Sequence, residues 1–230
     1  MRKSSAAAKI SMEMFYHQGT WALGYFVVFL AIYMIGSFVG GFTEDLFSVA
    51  YRSTNGFMLV IGIISSFGFL SYYVKNGITR KAFFRGAASA ACLLSLALTL
   101  AVAVVSLVLE QLNLWISSES PILAFFDGNW TVALASYAIQ IFFYYLAGWL
   151  IGTGFYRYDW IRGLGFIAAA IALIGVMDVL WTFELASLWG RLSLESVEIT
   201  LPASFAGSLV LIAAALAAIR LSTRNIAIKL

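Results

Sequence analysis

Six long stretches of this chain contain no Asp, Glu, Lys or Arg: residues 14–43, 53–74, 86–109, 128–156, 163–177 and 199–219, the fifth continuing to 183 past the single Asp178. A helix crosses the ~30 Å hydrocarbon core of a bilayer with about 20 apolar residues, and each stretch is long enough. Trimming polar ends predicts helices over 20–41, 56–74, 87–109, 131–155, 163–182 and 203–221. Apolar residues make up 62% of the 230-residue chain and charged ones only 11%, against about 25% charge in soluble domains. A transmembrane β-barrel needs strands that alternate polar with apolar. Runs such as Ala101-Val102-Ala103-Val104-Val105 do not alternate. The chain reads as an all-α integral membrane protein.

The counts exclude several chemistries. One cysteine, Cys92, rules out an intramolecular disulfide and a cysteine zinc cage, and one histidine, His17, rules out a multi-histidine metal site. No H-E-x-x-H, G-x-S-x-G or P-loop motif occurs, so no familiar hydrolytic centre is present and ATP hydrolysis by a P-loop would need another chain. About twenty residues precede the first span, including Glu13 and His17, and its core exceeds the 7–15 residues of a signal-peptide h-region, so it is expected to remain as a helix.

Charge placement sets the orientation. With the N-terminus in the cytosol, twelve of the fourteen basic residues fall on the cytosolic side, among them Lys9, Lys75, Arg80, Lys81, Arg85, Arg157, Arg162, Arg220 and Arg224, leaving Arg52 and Arg191 outside. The positive-inside rule then puts both termini in the cytosol. Residues 1–19 form a cytosolic arm, 20–222 the six-helix membrane domain and 223–230 a short cytosolic tail. The net charge of +3 is explained by topology, and a nucleic-acid partner, which needs a basic soluble face, is not expected.

In the arm, Ala6 to Gln18 holds no Gly or Pro, and Gly19 offers a C-cap. Lys9, Glu13 and His17 share one helical face, with Ile10, Met14 and Phe15 off it. An amphipathic helix on the inner membrane surface is expected, the alternative being a frayed tail. After the second span, Asn76-Gly77 signals a turn, Thr79 an N-cap, and Arg80 to Arg85 a short helix with three cations and two exposed phenylalanines, Phe83 and Phe84. Exposed phenylalanines meet headgroups or another protein. The competing reading is a basic, topogenic turn with Phe83 and Phe84 dipping into the membrane interface.

Within the spans, Tyr137, Gln140, Tyr144, Gly148 and Gly152 recur at three or four residues on one side of the fourth helix. They suit either tight packing or the wall of a polar path. Asp178 is the one carboxylate inside a span. It lies about 22 Å along the fifth helix, where it serves a path or pairs with Arg191. Small-xxx-small pairs mark helix contacts at Gly36 and Gly40, at Gly62 and Ser66, and among Ala213, Ala214, Ala217 and Ala218.

With these features the chain resembles an ABC-2-type transporter permease. The residues that carry the resemblance are Asn76-Gly77-Ile78-Thr79-Arg80-Lys81-Ala82-Phe83-Phe84-Arg85-Gly86, Gly148-Trp149-Leu150-Ile151-Gly152 with Arg157 and Trp160-Ile161-Arg162-Gly163, and the tail Arg224-Asn225-Ile226-Ala227-Ile228-Lys229. The resemblance implies a permease subunit of a bacterial cell-membrane exporter. It would pair with a second permease chain, identical or related, and with two copies of a separate ABC ATPase that holds ATP and Mg²⁺, leaving this chain without a cofactor. It implies that Thr79, Arg80, Lys81, Phe83, Phe84 and Arg85 couple to the ATPase, and that short re-entrant helices, for which only Phe183 to Pro202 has room, precede the last span. Tyr137, Gln140, Tyr144 and Asp178 become candidates for the translocation path of a peptide or amphiphilic drug. The alternatives are a non-transporting scaffold or immunity protein and a lipid-modifying membrane enzyme.

The orientation has a direct test. A thiol label at Ser118 is expected to react from outside intact cells and one at Asn76 is not; labelling of Asn76 from outside would refute the assignment.

Overall fold

The computed structural model describes residues 6–40, 45–111, 121–158, 160–181 and 199–224. Its helices are α1 (Ala6–Phe38), α2 (Leu46–Ile64), a π-helical turn (Ser65–Phe69), α3 (Leu70–Lys75), α4 (Arg80–Gln111), α5 (Pro121–Phe125), α6 (Trp130–Arg157), α7 (Trp160–Trp181) and α8 (Leu201–Arg224). Because α2, the π turn and α3 are continuous, six helices among the described residues are long and apolar enough to cross a membrane. The chain forms two compact units, Met1–Phe57 with Ala82–Phe142, and Met58–Lys81 with Phe143–Leu230.

In the first unit, the arm and the first span are one helix of 33 residues. The expected break at Gly19 is absent. Buried Ile10, Met14, Gln18 and Ala22 repeat every four residues straight through it, so one packing stripe holds the arm and the span in a single helix. Lys9, Glu13 and His17 occupy an exposed face, as their spacing requires. The arm is held by protein contact. A Cβ at Gly86 of α4 would stand 2.7 Å from the Ile10 side chain and 2.9 Å from the Ala7 carbonyl oxygen. Asp45 caps α2 through Oδ2, which accepts from Ser48 N at 3.3 Å. Asn129 Oδ1 caps α6 by accepting from the N–H groups of Thr131 and Val132 at 3.2 and 3.3 Å. Such caps satisfy backbone donors that the first helical turn leaves open.

The segment 80–85 is the opening of α4 and not a separate helix, because nothing after Arg85 stops it: Gly86 is buried against α1 and helical. The turn before it forms as expected. Gly77 has φ +80, and Gly77 N and Ile78 N donate to the carbonyls of Val74 and Tyr73 at 3.1 and 3.0 Å, a Schellman end to α3. Phe83 differs from expectation. It is 1% exposed and part of the first unit's core, while Phe84 is half-buried and Lys81 and Arg85 are exposed.

In the second unit, Gly62 and Ser66 meet Gly148 and Gly152. A Cβ at Gly62 would overlap the Tyr145 carbonyl, one at Gly148 the Leu59 carbonyl, and one at Gly152 the Ser66 hydroxyl. Apolar lipid supplies no hydrophobic drive between helices, so dispersion at this backbone distance holds them together. The π turn sits at the same contact. Ser65 Oγ and Tyr145 Oη are 2.7 Å apart, and Ser66 Oγ donates to Ile63 O at 2.7 Å. Gly40 has a different role from the one its spacing suggests: it takes φ +77 just past the end of α1, with nothing within 4 Å of a Cβ. The alanines named in the last span are also not its packing face. Ala213, Ala214 and Ala217 are exposed, and the buried positions are Ser204, Ser208, Ala215, Ile219 and Thr223. Ser204 and Ser208 bind α8 to α7: Ser204 Oγ donates to Leu180 O at 2.6 Å, and Trp181 Nε1 donates to Ser208 Oγ at 2.9 Å.

The glycine contact predicts a contrast in thermal unfolding of the detergent-solubilised protein. Gly148→Ala should destabilise by about 1–3 kcal/mol through overpacking. Gly56→Ala, in helix with open space around its Cβ, should be neutral or stabilising by up to about 1 kcal/mol. Equal effects would contradict the packing.

Candidate functional site

Polar side chains at bilayer depth seek partners inside the protein, because hydrocarbon offers none. In the first unit they build a hydroxyl network. Tyr25 Oη of α1 lies 2.8 Å from Ser53 Oγ and 3.2 Å from Thr54 Oγ1 of α2. Tyr137 Oη of α6 donates to Thr54 Oγ1 at 2.8 Å. Aromatic rings fix these hydroxyls. Tyr25 stacks on Phe57 at 4.3 Å, and Tyr137 lies against Tyr51 at 5.1 Å and edge-on to Phe47 at 5.7 Å. Gln140, one turn on from Tyr137, is 1% exposed. Its Oε1 has no hydrogen-bond partner among the described residues.

A cleft of about 600 Å³ opens in the same unit between α1 and α2. Val28, Phe29, Ile32 and Val49 make its walls apolar, and Tyr25 and Ser53 bring the edge of the hydroxyl network to it. An apolar cavity of this size with a few convergent polar groups is the usual form of a small-molecule site. Hydroxyls that both donate and accept can orient one polar group of a guest whose remainder is hydrocarbon.

In the second unit, Tyr144 Oη donates to Asp178 Oδ1 at 3.2 Å, with Oδ2 at 3.5 Å. Asp178 is 6% exposed and three residues from the end of α7. Arg191, its other expected partner, lies outside the described residues, as do residues 183–198 of the Phe183 to Pro202 stretch expected to hold re-entrant helices.

The expected single wall on α6 therefore divides by partner. Tyr137 turns to α2 in the first unit, Tyr144 to Asp178 in the second, and Gly148 and Gly152 serve packing. Tyr137 and Gln140 are closed off from the surface in this conformation. Sequence reasoning missed Tyr25, Ser53 and Thr54. The polar run Arg52-Ser53-Thr54-Asn55 carried a signal, but a span beginning at residue 56 placed it in the outer loop. It also missed Tyr145, which projects about 100° around the helix from Tyr144 and so reaches Ser65.

The Tyr144–Asp178 bond predicts non-additive stability. Tyr144→Phe removes a donor from a buried carboxyl and should cost about 1–3 kcal/mol. In Asp178→Asn the same change should cost less, with a coupling of about 0.5–3 kcal/mol in unfolding experiments. Strict additivity would show that the hydroxyl and the carboxyl do not interact. Compared with known proteins, the chain matches no family model, no curated protein and no solved structure.

Proposed function

We propose that this chain is the permease subunit of an ATP-driven ABC exporter in a bacterial cell membrane. It works with a second permease chain and two copies of a separate ATPase, and moves a peptide or amphiphilic drug-like molecule outward. The observation that carries the reading is the cleft of about 600 Å³ between two helices long and apolar enough to cross a membrane, apolar along its walls and edged by the hydroxyls of Tyr25 and Ser53. Its chemistry suits a guest with a long apolar part and a small polar group. Residues of α6 that are closed off in this conformation, Tyr137 and Gln140, would line the path in another state of the transport cycle.

ATP and Mg²⁺ belong to the partner ATPase, which the segment 79–85 would contact. Burial refines how that contact is made. Phe83 belongs to the permease core, so Phe84 with Lys81 and Arg85 is what the segment offers a partner. Exposed ion pairs contribute ~0–1 kcal/mol each, so apolar contact at Phe84 would supply most of the coupling energy.

Co-expression with an ABC ATPase encoded beside this chain tests the proposal. The two should co-purify, and amphiphilic peptides or drugs should stimulate ATP hydrolysis in the complex. Phe84→Ala with Lys81→Gln should weaken association while the permease stays folded, and Phe83→Ala should instead destabilise the permease by about 3–5 kcal/mol. Tyr25→Phe with Ser53→Ala should lower the sensitivity of hydrolysis to the amphiphile. Purification of the folded chain without any ATPase, under conditions where the ATPase is present and soluble, would count against the whole reading.

A further inference from the structure

The hydroxyl network of the first unit has a direction. Tyr137 Oη donates its one proton to Thr54 Oγ1 at 2.8 Å, and the Ala50 carbonyl, at 3.5 Å, is too far to compete. Thr54 is 1% exposed, so its own proton needs an acceptor inside the protein. Threonine in a membrane helix commonly gives that proton to a carbonyl one turn back, as Thr99, Thr153 and Thr223 do at 2.8 Å. Thr54 makes no such bond. Among the described residues the acceptor left to it is Tyr25 Oη, at 3.2 Å. Tyr25 accepts there and donates to Ser53 Oγ at 2.8 Å. Ser53 makes no bond back to its helix either, and its proton has no acceptor among the described residues.

The opposite order fails at its buried end. Running from Ser53 through Tyr25, it would bring two donors to Thr54 Oγ1 and strand the Thr54 proton in the core. A donor stranded there costs more than one at the edge of a cleft. Ser53 and Tyr25 line the cleft, and Thr54 and Tyr137 do not. The four hydroxyls therefore end in a donor at the cleft wall.

The rest of the wall limits what that donor can meet. Among the described residues that line the cleft none is charged. Tyr33, the third hydroxyl of the wall, bonds Ser37 and stands about 12 Å along α1 from Tyr25. A carboxylate would find no cation there, and an ammonium would bring three more protons. An alcohol would accept from Ser53 and leave its own proton against apolar walls. A carbonyl oxygen with no N–H or O–H beside it satisfies Ser53 and adds no unmet group.

We propose that the cleft recognises the uncharged carbonyl of an ester or tertiary amide on a hydrocarbon chain, through the proton of Ser53. Tyr137 is a positioning residue that acts through Thr54 and Tyr25. The inference rests on the reading of the cleft as a site for an amphiphile and narrows that guest. It needs no ATPase, so a chain that binds none would still show the preference.

Photolabelling in nanodiscs of ether-linked phosphatidylcholine, a lipid without ester carbonyls, tests it. Three probes share a diazirine-bearing hexadecyl chain and end in a methyl ester, a primary amine or a plain methyl group. The ester should label residues 24–33 and 49–53 saturably, at about one-fifth of the concentration the other two need. Ser53→Ala should abolish that preference and Ser53→Thr, which keeps the hydroxyl, should keep it. Tyr137→Phe should reduce the preference and leave labelling by the hydrocarbon unchanged; an equal loss for all three probes would overturn the positioning role. Saturable labelling without preference would overturn the carbonyl assignment and leave the cleft as a site, whereas no saturable labelling by any probe would overturn both. Ester-linked phosphatidylcholine carries the same carbonyl and should compete only weakly. Full suppression by it would identify the occupant as bulk lipid and overturn the assignment to a separate guest.

Discussion

Backbone against backbone, at Gly62, Gly148 and Gly152, is the contact on which the second unit depends. Lipid chains are as apolar as leucine side chains, so burying more leucine gains these helices little. What draws them together is dispersion summed over atoms that come unusually close, and only the absence of Cβ permits that approach. The π turn at Ser65–Phe69 belongs to the same contact. It sets two buried serines beside α6, one bonded to Tyr145 Oη and the other filling the space over Gly152. π turns are frequent where helices serve function, and this one joins a tight contact to a polar one.

Polar groups in the spans follow from the same solvent argument. Thr54, Ser65 and Asp178 each accept or share a hydrogen bond with a tyrosine hydroxyl from another helix. Tyrosine suits this use, because its ring packs as an apolar body while the hydroxyl reaches one acceptor. The serines of α8 do the same for the α7 carbonyl and the Trp181 indole. In the first unit the hydroxyl chain runs from buried Tyr137 to the cleft at Tyr25 and Ser53. A polar group entering the cleft there meets hydroxyls already held in place by stacked rings.

How much of this was legible depends on which physical quantity was being read. The six spans were visible because each is a long charge-free run, and charge is what hydrocarbon excludes most strongly. Their ends were not, because charge marks where the bilayer stops and not where the helix stops. Arg80 to Arg85 and Lys9 to His17 are helical although they are polar. Gly19, Gly40 and Gly77 show the same limit. Only the last two end helices, and residue type alone does not separate them from Gly19, which a continuous buried stripe carries through. Tyr137, Tyr144 and Asp178 stood out as polar residues within apolar runs. Thr54, the partner of Tyr137, did not, and neither did the Ser65–Tyr145 pair, because a serine or threonine on a helix satisfies itself equally well on its own backbone. Phe83 was misjudged because proximity to cations suggested exposure, while its position on the inward side of α4 decided its burial.

On the function proposed above, the chain would handle an amphiphile through the cleft between α1 and α2. Photolabelling with a diazirine-bearing amphiphilic peptide in membranes, followed by mapping of the labelled residues, tests it most directly. The account predicts saturable labelling concentrated within residues 24–33 and 49–53, reduced by an excess of unlabelled peptide. Labelling spread evenly over lipid-facing positions such as Leu100, Val104 and Leu209, with no effect of competitor, would contradict it.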